Sequence, residues 1–208
     1  MNFLSFIKKN HPGSLLINKL NRKNLINKTP TLITGNCIGG FLYHWLGLKF
    51  NSPTINLFIT NSDFIKMLEN FDEFIKVPLK PFYNHDKKYP VAQGYLGIKI
   101  FFQHYKNFDS AIKMWNKRIK RIDKQNMGII LPYITKEDTD LIERFNNLPY
   151  KNKLAFTPDH IDKENFIMIK NLNDGVYGKR KALFDLKNIL GKRYIDSFNY
   201  VDWINNLK

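Results

Sequence analysis

Short apolar runs alternate with longer amphipathic stretches along most of the chain. Runs with the length and composition of β-strands occur at 31–34, 54–59, 98–104, 127–133, 153–157 and 166–169. A helical spacing of apolar side chains predicts helices at 63–76, 110–122 and 135–147, and a mostly helical tail at 183–207. Such alternation is typical of the α/β class. We therefore predict a layered domain with a mixed, mainly parallel sheet flanked by helices.

The first 28 residues have a different pattern. Lysines and an arginine interleave with phenylalanines, leucines and isoleucines, and Pro12 and Gly13 interrupt the segment. A basic amphipathic segment can lie on an anionic membrane surface, or it can pack on the body of its own protein. We therefore divide the chain into a basic amphipathic N-terminal arm, 1–28, and a single α/β domain, 29–208.

Cys37 is the single cysteine of the chain, and it follows the first predicted strand. Asn36, Gly39 and Gly40 surround it, and an apolar helical stretch comes next, which predicts a turn with the thiol at a helix N-terminus. Free backbone N–H groups and the helix dipole favour an anion at that point. They therefore favour a lowered thiol pKa, and also a ligand phosphate or carboxylate bound by Asn36, Gly39 and Gly40. The alternative is that Cys37 is a small buried side chain beside a tight turn.

His104 ends a predicted strand, where an imidazole can act as a general base. With Cys37 it can form a nucleophile–base pair, and Asn36, Gln103 or Asp109 could orient the ring. The alternative is a hydrogen-bonded structural histidine. The other four histidines show no metal-ligand spacing, so we predict no metal site. The sequence has no P-loop and no dinucleotide-binding fingerprint, so the cofactor stays unknown.

Two arginines occur on the predicted helix at 110–122. Arg118 falls in the same stripe as Ala111 and Trp115, and Arg121 lies at its edge. A buried guanidinium is costly without a partner, so the pair could clamp the phosphate or carboxylate of a ligand. The alternative is an internal salt bridge to an acidic side chain such as Asp109.

The formal net charge of +15 limits the classes of partner. A strongly positive surface favours nucleic acid, an anionic membrane or an anionic small molecule. Nucleic acid is the weakest of these, because only 83–89 combines aromatic with basic residues. One cysteine excludes an internal disulfide and favours the cytoplasm, and no apolar run approaches the roughly 20 residues of a membrane span.

A set of short motifs resembles a bacterial domain-of-unknown-function family, DUF1919, which is associated with exopolysaccharide biosynthesis. The resemblance covers roughly residues 29–157 and rests on Asn36-Cys37-x-Gly39-Gly40-x-x-Tyr43, Leu46-Gly47-Leu48-x-Phe50-x-Ser52-Pro53-Thr54, Asp63-Phe64-Ile65, Tyr89-Pro90, Leu96-Gly97, His104-Tyr105, Trp115-x-x-Arg118-x-x-Arg121-Ile122, Leu148-Pro149 and Lys151-Asn152-Lys153. It implies an α/β fold and a role in the assembly of capsule, exopolysaccharide or lipopolysaccharide at the cytoplasmic membrane face.

These observations predict a cytoplasmic transferase of surface polysaccharide biosynthesis, in peripheral contact with the inner membrane. Its anionic donor, such as a nucleotide-sugar, would be bound by the turn around Cys37 and by Arg118 and Arg121. Two alternatives stay open. One is an acyltransferase or hydrolase that modifies a glycan with Cys37 and His104. The other is a non-catalytic module that binds an anionic glycan or lipid carrier. Oligomeric state is not predicted.

Overall fold

The computed structural model describes residues 11–83, 86–173 and 181–207. The described helices are α1 (Pro12–Asn24), α2 (Ile38–Leu46), α3 (Asn61–Glu69), α4 (Phe71–Phe74), α5 (Phe108–Ile119), α6 (Thr139–Asn146) and α7 (Tyr200–Asn205). The described strands are β1 (Thr31–Thr34), β2 (Lys80–Pro81), β3 (Val91–Gln93), β4 (Lys99–Phe101), β5 (Met127–Leu131), β6 (Lys153–Thr157) and β7 (Phe166–Met168). Among the helices in these ranges, none is long and apolar enough to cross a membrane.

Four strands form a parallel sheet in the order β1-β5-β6-β7. Thr31 pairs with Met127 in the first ladder, and Ile129 pairs with Lys153 in the next. The three short strands β2, β3 and β4 form a separate antiparallel sheet. The predicted α/β class is therefore confirmed, with the antiparallel strands in a second sheet beside the parallel one.

Strands β1, β5 and β6 of the parallel sheet are buried on both faces, as their continuous apolar runs indicate. Successive side chains alternate between two cores. Leu32 and Ile130 belong to the core that also contains α2 and α7, whereas Ile33 and Ile129 belong to the core with α3 and α5. Strand β1 lies at the edge of the sheet, and the chain leads from its carboxyl end into α2.

Tyr43 fixes α2 against β1. Its side chain is fully buried, and its hydroxyl donates to the carbonyl of Pro30 at 2.8 Å and accepts from the amide of Leu32 at 2.9 Å. Burial raises the pKa of the Tyr43 hydroxyl far above its usual range. The hydroxyl is therefore the hydrogen-bond partner of two backbone groups that are buried away from solvent.

Replacing Tyr43 with phenylalanine should lower the free energy of unfolding by about 1–3 kcal/mol, because it leaves two buried backbone groups without a partner. Urea denaturation monitored by circular dichroism measures the change. Tyr83→Phe is the matched control, since Tyr83 is 84% exposed. Equal stabilities for the two variants would contradict this role of the hydroxyl.

The described part of the predicted N-terminal arm contains helix α1, which packs on the C-terminal segment. Ser14 donates to the carbonyl of Gly191 at 2.5 Å, and Asn18 accepts from Arg193 at 2.9 Å. Arg193 also forms a buried ion pair with Asp196. Residues 1–10 of the arm lie outside the described residues, and the division at 28 stays a prediction.

Three predicted elements differ from the structure. Residues 54–59 do not form a strand, because Asn56 adopts a left-handed conformation (φ 62°), and only one bridge joins Phe58 to Phe101. The strand predicted at 98–104 is shorter and belongs to the antiparallel sheet. In the tail, the described helical segments are a 3₁₀ turn at Ile195–Ser197 and the helix α7. Leu183 and Tyr194 in the tail are buried without helical backbone, which periodicity alone does not reveal.

Candidate functional site

Cys37 lies between the carboxyl end of β1 and the first turn of α2, as predicted. The turn is held by Asn36, whose Oδ1 accepts from the amide of Ile38 at 2.9 Å and whose carbonyl accepts from the hydroxyl of Thr34 at 2.7 Å. Asn36 therefore uses its side-chain oxygen to cap the helix that follows Cys37.

The two glycines after Cys37 have different surroundings. A Cβ at Gly39 would lie 2.8 Å from Oγ1 of Thr34, so this glycine lets α2 pack closely on β1. A Cβ at Gly40 would lie 3.3 Å from Oδ1 of Asn56, and Gly40 lines a pocket. Close packing of α2 on β1 therefore explains why residue 39 is a glycine, whereas Gly40 lies in the wall of the pocket.

The structure brings Cys37 and His104 into direct contact. The distance between Sγ of Cys37 and Nε2 of His104 is 3.3 Å, although the two residues are 67 positions apart. His104 is exposed and lies in the turn after β4, three residues beyond the strand end. No described residue hydrogen-bonds to the other ring nitrogen, so Asn36, Gln103 and Asp109 do not orient the ring. The arrangement is a dyad.

Burial raises the pKa of the Cys37 thiol from 9.0 to about 11. This direction is opposite to the lowered pKa that we predicted from the helix N-terminus, because the loss of hydration destabilises the thiolate. At neutral pH the thiol is therefore protonated. A reaction at Cys37 needs a base within reach of its proton, and Nε2 of His104 is in that position.

The dyad lies in the wall of a pocket of about 340 Å³. Besides Cys37 and His104, its lining is formed by Gly40, Phe41, His44, Phe50 and Asn56. The volume falls at the lower end of the range for small-molecule sites, about 300–1,000 Å³. Aromatic and apolar surface combined with a few polar groups is typical of such sites, so the pocket can hold a small acyl group beside the thiol.

Arg118 lies behind this pocket and is 4% exposed. Its Nη1 donates to the hydroxyl of Tyr105 at 2.8 Å and to the carbonyl of Ile55 at 3.4 Å, and its guanidinium lies 5.3 Å from the ring of Phe50. Within the described ranges it has no carboxylate partner, and its Nε is buried without a hydrogen bond. The predicted salt bridge to an acidic side chain is therefore absent there.

Arg121 donates to the carbonyl of Phe50 at 2.9 Å. Arg118 in α5 and Arg121 just after it thus both donate to backbone carbonyls of the segment 50–55, next to the pocket. Their contacts explain why the sequence places two guanidinium groups there. A direct role of Arg118 and Arg121 in binding an anionic ligand stays a prediction, as it does for Asn36, Gly39 and Gly40.

A second pocket of about 280 Å³ borders the same turn at Gly35 and Asn36. Residues after β1 and β5 line it, including Asn61, Tyr133 and Asp138. Asp138 accepts from the amide and hydroxyl of Thr135 through one carboxylate oxygen, Oδ2. The position matches the rule that ligands bind at the carboxyl ends of parallel strands.

Two residues of the site were not singled out from the sequence. Asn56 was assigned to a strand, although asparagine is enriched in the left-handed conformation that it adopts. Tyr105 was noted only as the neighbour of His104. The described residues contain no cluster of three potential metal ligands.

Comparison with known proteins gives a family without an assigned activity. The family described as "Domain of unknown function (DUF1919)" matches residues 9–205. An uncharacterized protein from Haemophilus influenzae (strain ATCC 51907 / DSM 11121 / KW20 / Rd) is 33% identical over 195 residues, which is 91% of each chain. The residues matched by the family include Cys37, His104, Arg118 and Arg121. Neither description mentions exopolysaccharide.

Proposed function

The chain belongs to this DUF1919 family, and from the geometry of its site we propose that it is a cysteine-dependent acyl-transfer enzyme, an acyltransferase or a hydrolase. One observation carries the proposal: Sγ of Cys37 lies 3.3 Å from Nε2 of His104 at the wall of a small-molecule pocket. A nucleophile within hydrogen-bond distance of a base is the arrangement that covalent acyl transfer requires.

In the first step, Nε2 of His104 takes the thiol proton while Sγ attacks the carbonyl carbon of the donor. A C–S bond forms, and the carbonyl π electrons move to the oxygen. When the tetrahedral intermediate collapses, the bond to the leaving group breaks, and His104 returns the proton to that group. The product is a thioester on Cys37.

In the second step, a water molecule or an acceptor hydroxyl gives its proton to His104 and attacks the thioester carbonyl. The C–S bond breaks, and the thiol of Cys37 regains a proton. Water as acceptor makes the enzyme a hydrolase, and an alcohol makes it an acyltransferase.

A burst experiment with p-nitrophenyl acetate tests this proposal. Wild-type protein should release about one p-nitrophenolate per chain in a fast first phase, since acylation precedes the return of the free thiol. Cys37→Ala should show no burst. Because Cys37 is the single cysteine, no other thiol can contribute. A burst of equal size in Cys37→Ala would overturn the proposal.

The resemblance to the exopolysaccharide-associated family is what supports a surface polysaccharide as acceptor. A glycan hydroxyl is a chemically suitable acceptor for a thioester. The geometry gives less support to transfer from a nucleotide-sugar, because Arg118 and Arg121 both donate to backbone carbonyls. The same burst experiment distinguishes the enzyme from a non-catalytic binding module, because a binding module should release no burst of p-nitrophenolate.

We also propose peripheral contact with an anionic membrane, and helix α1 supports it. Its buried side chains are polar, Ser14 and Asn18, whereas Leu15, Leu16 and Leu20 are 51%, 58% and 52% exposed. A surface helix usually buries its apolar side. The neighbouring loop adds the exposed side chains of Ile189 and Leu190, since its backbone touches the first turn of α1. Exposed lysines at 19 and 23 complement anionic headgroups.

Co-sedimentation with lipid vesicles tests this contact. Wild-type protein should bind vesicles of phosphatidylcholine and phosphatidylglycerol and should bind pure phosphatidylcholine weakly. Changing Leu15, Leu16 and Leu20 together to glutamate should weaken binding more than about tenfold, because three leucines no longer insert. Val77→Glu, at an exposed apolar residue elsewhere, is the control. Unchanged binding of the triple variant would exclude α1 as the contact.

A further inference from the structure

Asn56 combines a rare backbone conformation with a position in the Cys37 pocket. Its φ of 62° places it in the left-handed region, and its side chain lines the pocket together with Cys37 and His104. Strained residues of this kind concentrate at functional sites when the surrounding structure holds them in place. Its carboxamide forms no hydrogen bond with any described residue, so an amide donor is available to a ligand.

The structure fixes the backbone on both sides of Asn56. The carbonyl of Ile55 accepts from Nη1 of Arg118 and from the hydroxyl of Tyr105, each at 3.4 Å. The carbonyl oxygen of Leu57 lies 3.9 Å from Sγ of Cys37. The residue after Asn56 therefore touches the nucleophile, and the residue before it is held by Arg118. These contacts explain how the strained conformation persists beside the thiol.

The start of α2 provides backbone donors next to Asn56. The amide of Ile38 is capped by Asn36, but the amides of Gly39 and Gly40 donate to no described residue. Gly40 lines the pocket and adjoins the Asn56 carboxamide, because a Cβ on Gly40 would lie 3.3 Å from Oδ1. The Asn56 carboxamide and the Gly40 backbone are therefore neighbours in the pocket wall.

From this juxtaposition we infer that the Asn56 carboxamide and the Gly40 N–H bind the oxyanion that forms when Cys37 attacks a carbonyl. The inference rests on the acyl transfer proposed above. As the C–S bond forms, the carbonyl π electrons move to the oxygen, and both N–H groups donate to that oxygen. When the oxyanion collapses, the leaving-group bond breaks and the donors are free again. Donors of this kind act on the transition state more than on the bound substrate.

Two electrophiles separate this role from a structural one. Acylation by p-nitrophenyl acetate passes through an oxyanion, whereas alkylation by iodoacetamide displaces iodide without one. In Asn56→Gly the acylation rate should fall by about 10²–10³-fold while the alkylation rate is unchanged. Glycine adopts positive φ without strain, so thermal unfolding should show no loss of stability. Asn171→Gly is the matched control, because Asn171 also has a φ of 62° but does not line the pocket.

The outcomes are distinct for the two proposals. If wild-type Cys37 is alkylated but not acylated, both the proposed function and this inference fail. If wild-type protein is acylated and Asn56→Gly is acylated equally fast, acyl transfer stands and Asn56 has no role in it. Equal losses in acylation and alkylation would show that Asn56 only positions the segment, which also overturns the inference.

Discussion

Replacing Asp196 with alanine should lower the free energy of unfolding by about 3–5 kcal/mol, because it leaves a buried guanidinium without its counter-ion. Arg193 is 2% exposed and donates to Asp196 from Nε at 2.8 Å and from Nη2 at 3.0 Å. Its guanidinium lies 3.6 Å from the ring of Trp45, and Nη1 already has no hydrogen-bond partner. Without the Asp196 carboxylate, little remains to offset the cost of burying the positive charge of Arg193. Urea denaturation measures the change.

Glu73→Ala is the control for this prediction. Glu73 and Lys76 also form an ion pair at a spacing of three residues, with a distance of 2.7 Å, but both side chains are mostly exposed. Water and salt screen such a pair, so its removal should cost at most about 1 kcal/mol. Similar losses in Asp196→Ala and Glu73→Ala would contradict the assignment of the C-terminal ion pair as a buried structural element.

His104→Ala should slow the acylation of Cys37 at neutral pH by about 10²–10⁴-fold, the contribution expected of a general base. The thiol pKa of about 11 means that the protonated thiol predominates at neutral pH in the absence of a base. As the pH rises toward that value, a growing fraction of Cys37 ionises without help. The rate of the variant should therefore rise with pH and approach that of the wild type. Stopped-flow burst rates across the pH range measure this.

His44→Ala tests whether the effect is specific to His104. His44 lines the same pocket and is exposed, but it has no contact with the thiol. Its replacement should leave the burst rate close to wild type at every pH. A loss of equal size in the two histidine variants, or a His104→Ala variant whose deficit persists at high pH, would argue against His104 as the base.

Strands β1, β5 and β6 of the parallel sheet could be predicted because they are buried on both faces and therefore appear as continuous apolar runs. The segment 54–59 has the same composition, but its backbone turns at Asn56, and tertiary contacts decide that conformation. The lengths of short elements such as β4 depend on which partner strand is present. Local sequence does not carry that information, so the prediction at 98–104 extended the strand too far.

The functional site was predictable where local chemistry specifies it. The turn around Cys37 follows from glycines beside an apolar helix, and His104 follows from its position after a strand. Their 3.3 Å contact brings two separate sheets together, and a sequence pattern cannot show this. The direction of the thiol pKa was missed because burial of Cys37 depends on tertiary contacts with residues distant in sequence, such as Leu57 and His104.

Arg118 was singled out from the sequence, but its partners in the structure are not the ones that the sequence indicated. Its place in an apolar stripe indicated a buried guanidinium with a partner, and the structure buries it. Its partners are Tyr105, next to the proposed base His104, and Ile55, next to Asn56. Arg118 therefore links the two segments that carry site residues opposite Cys37. We expect it to act as a positioning residue for both.

Peptide mapping after reaction with p-nitrophenyl acetate tests the central claim, that Cys37 is a nucleophile served by His104, most directly. Digestion of the quenched wild-type protein should yield the Cys37 peptide with an acetyl group that neutral hydroxylamine removes, which identifies a thioester. The same peptide from His104→Ala should be largely unmodified at the same time point. If acetyl groups occur only on lysine amines while the Cys37 thiol stays free, the dyad is not catalytic and the account is contradicted.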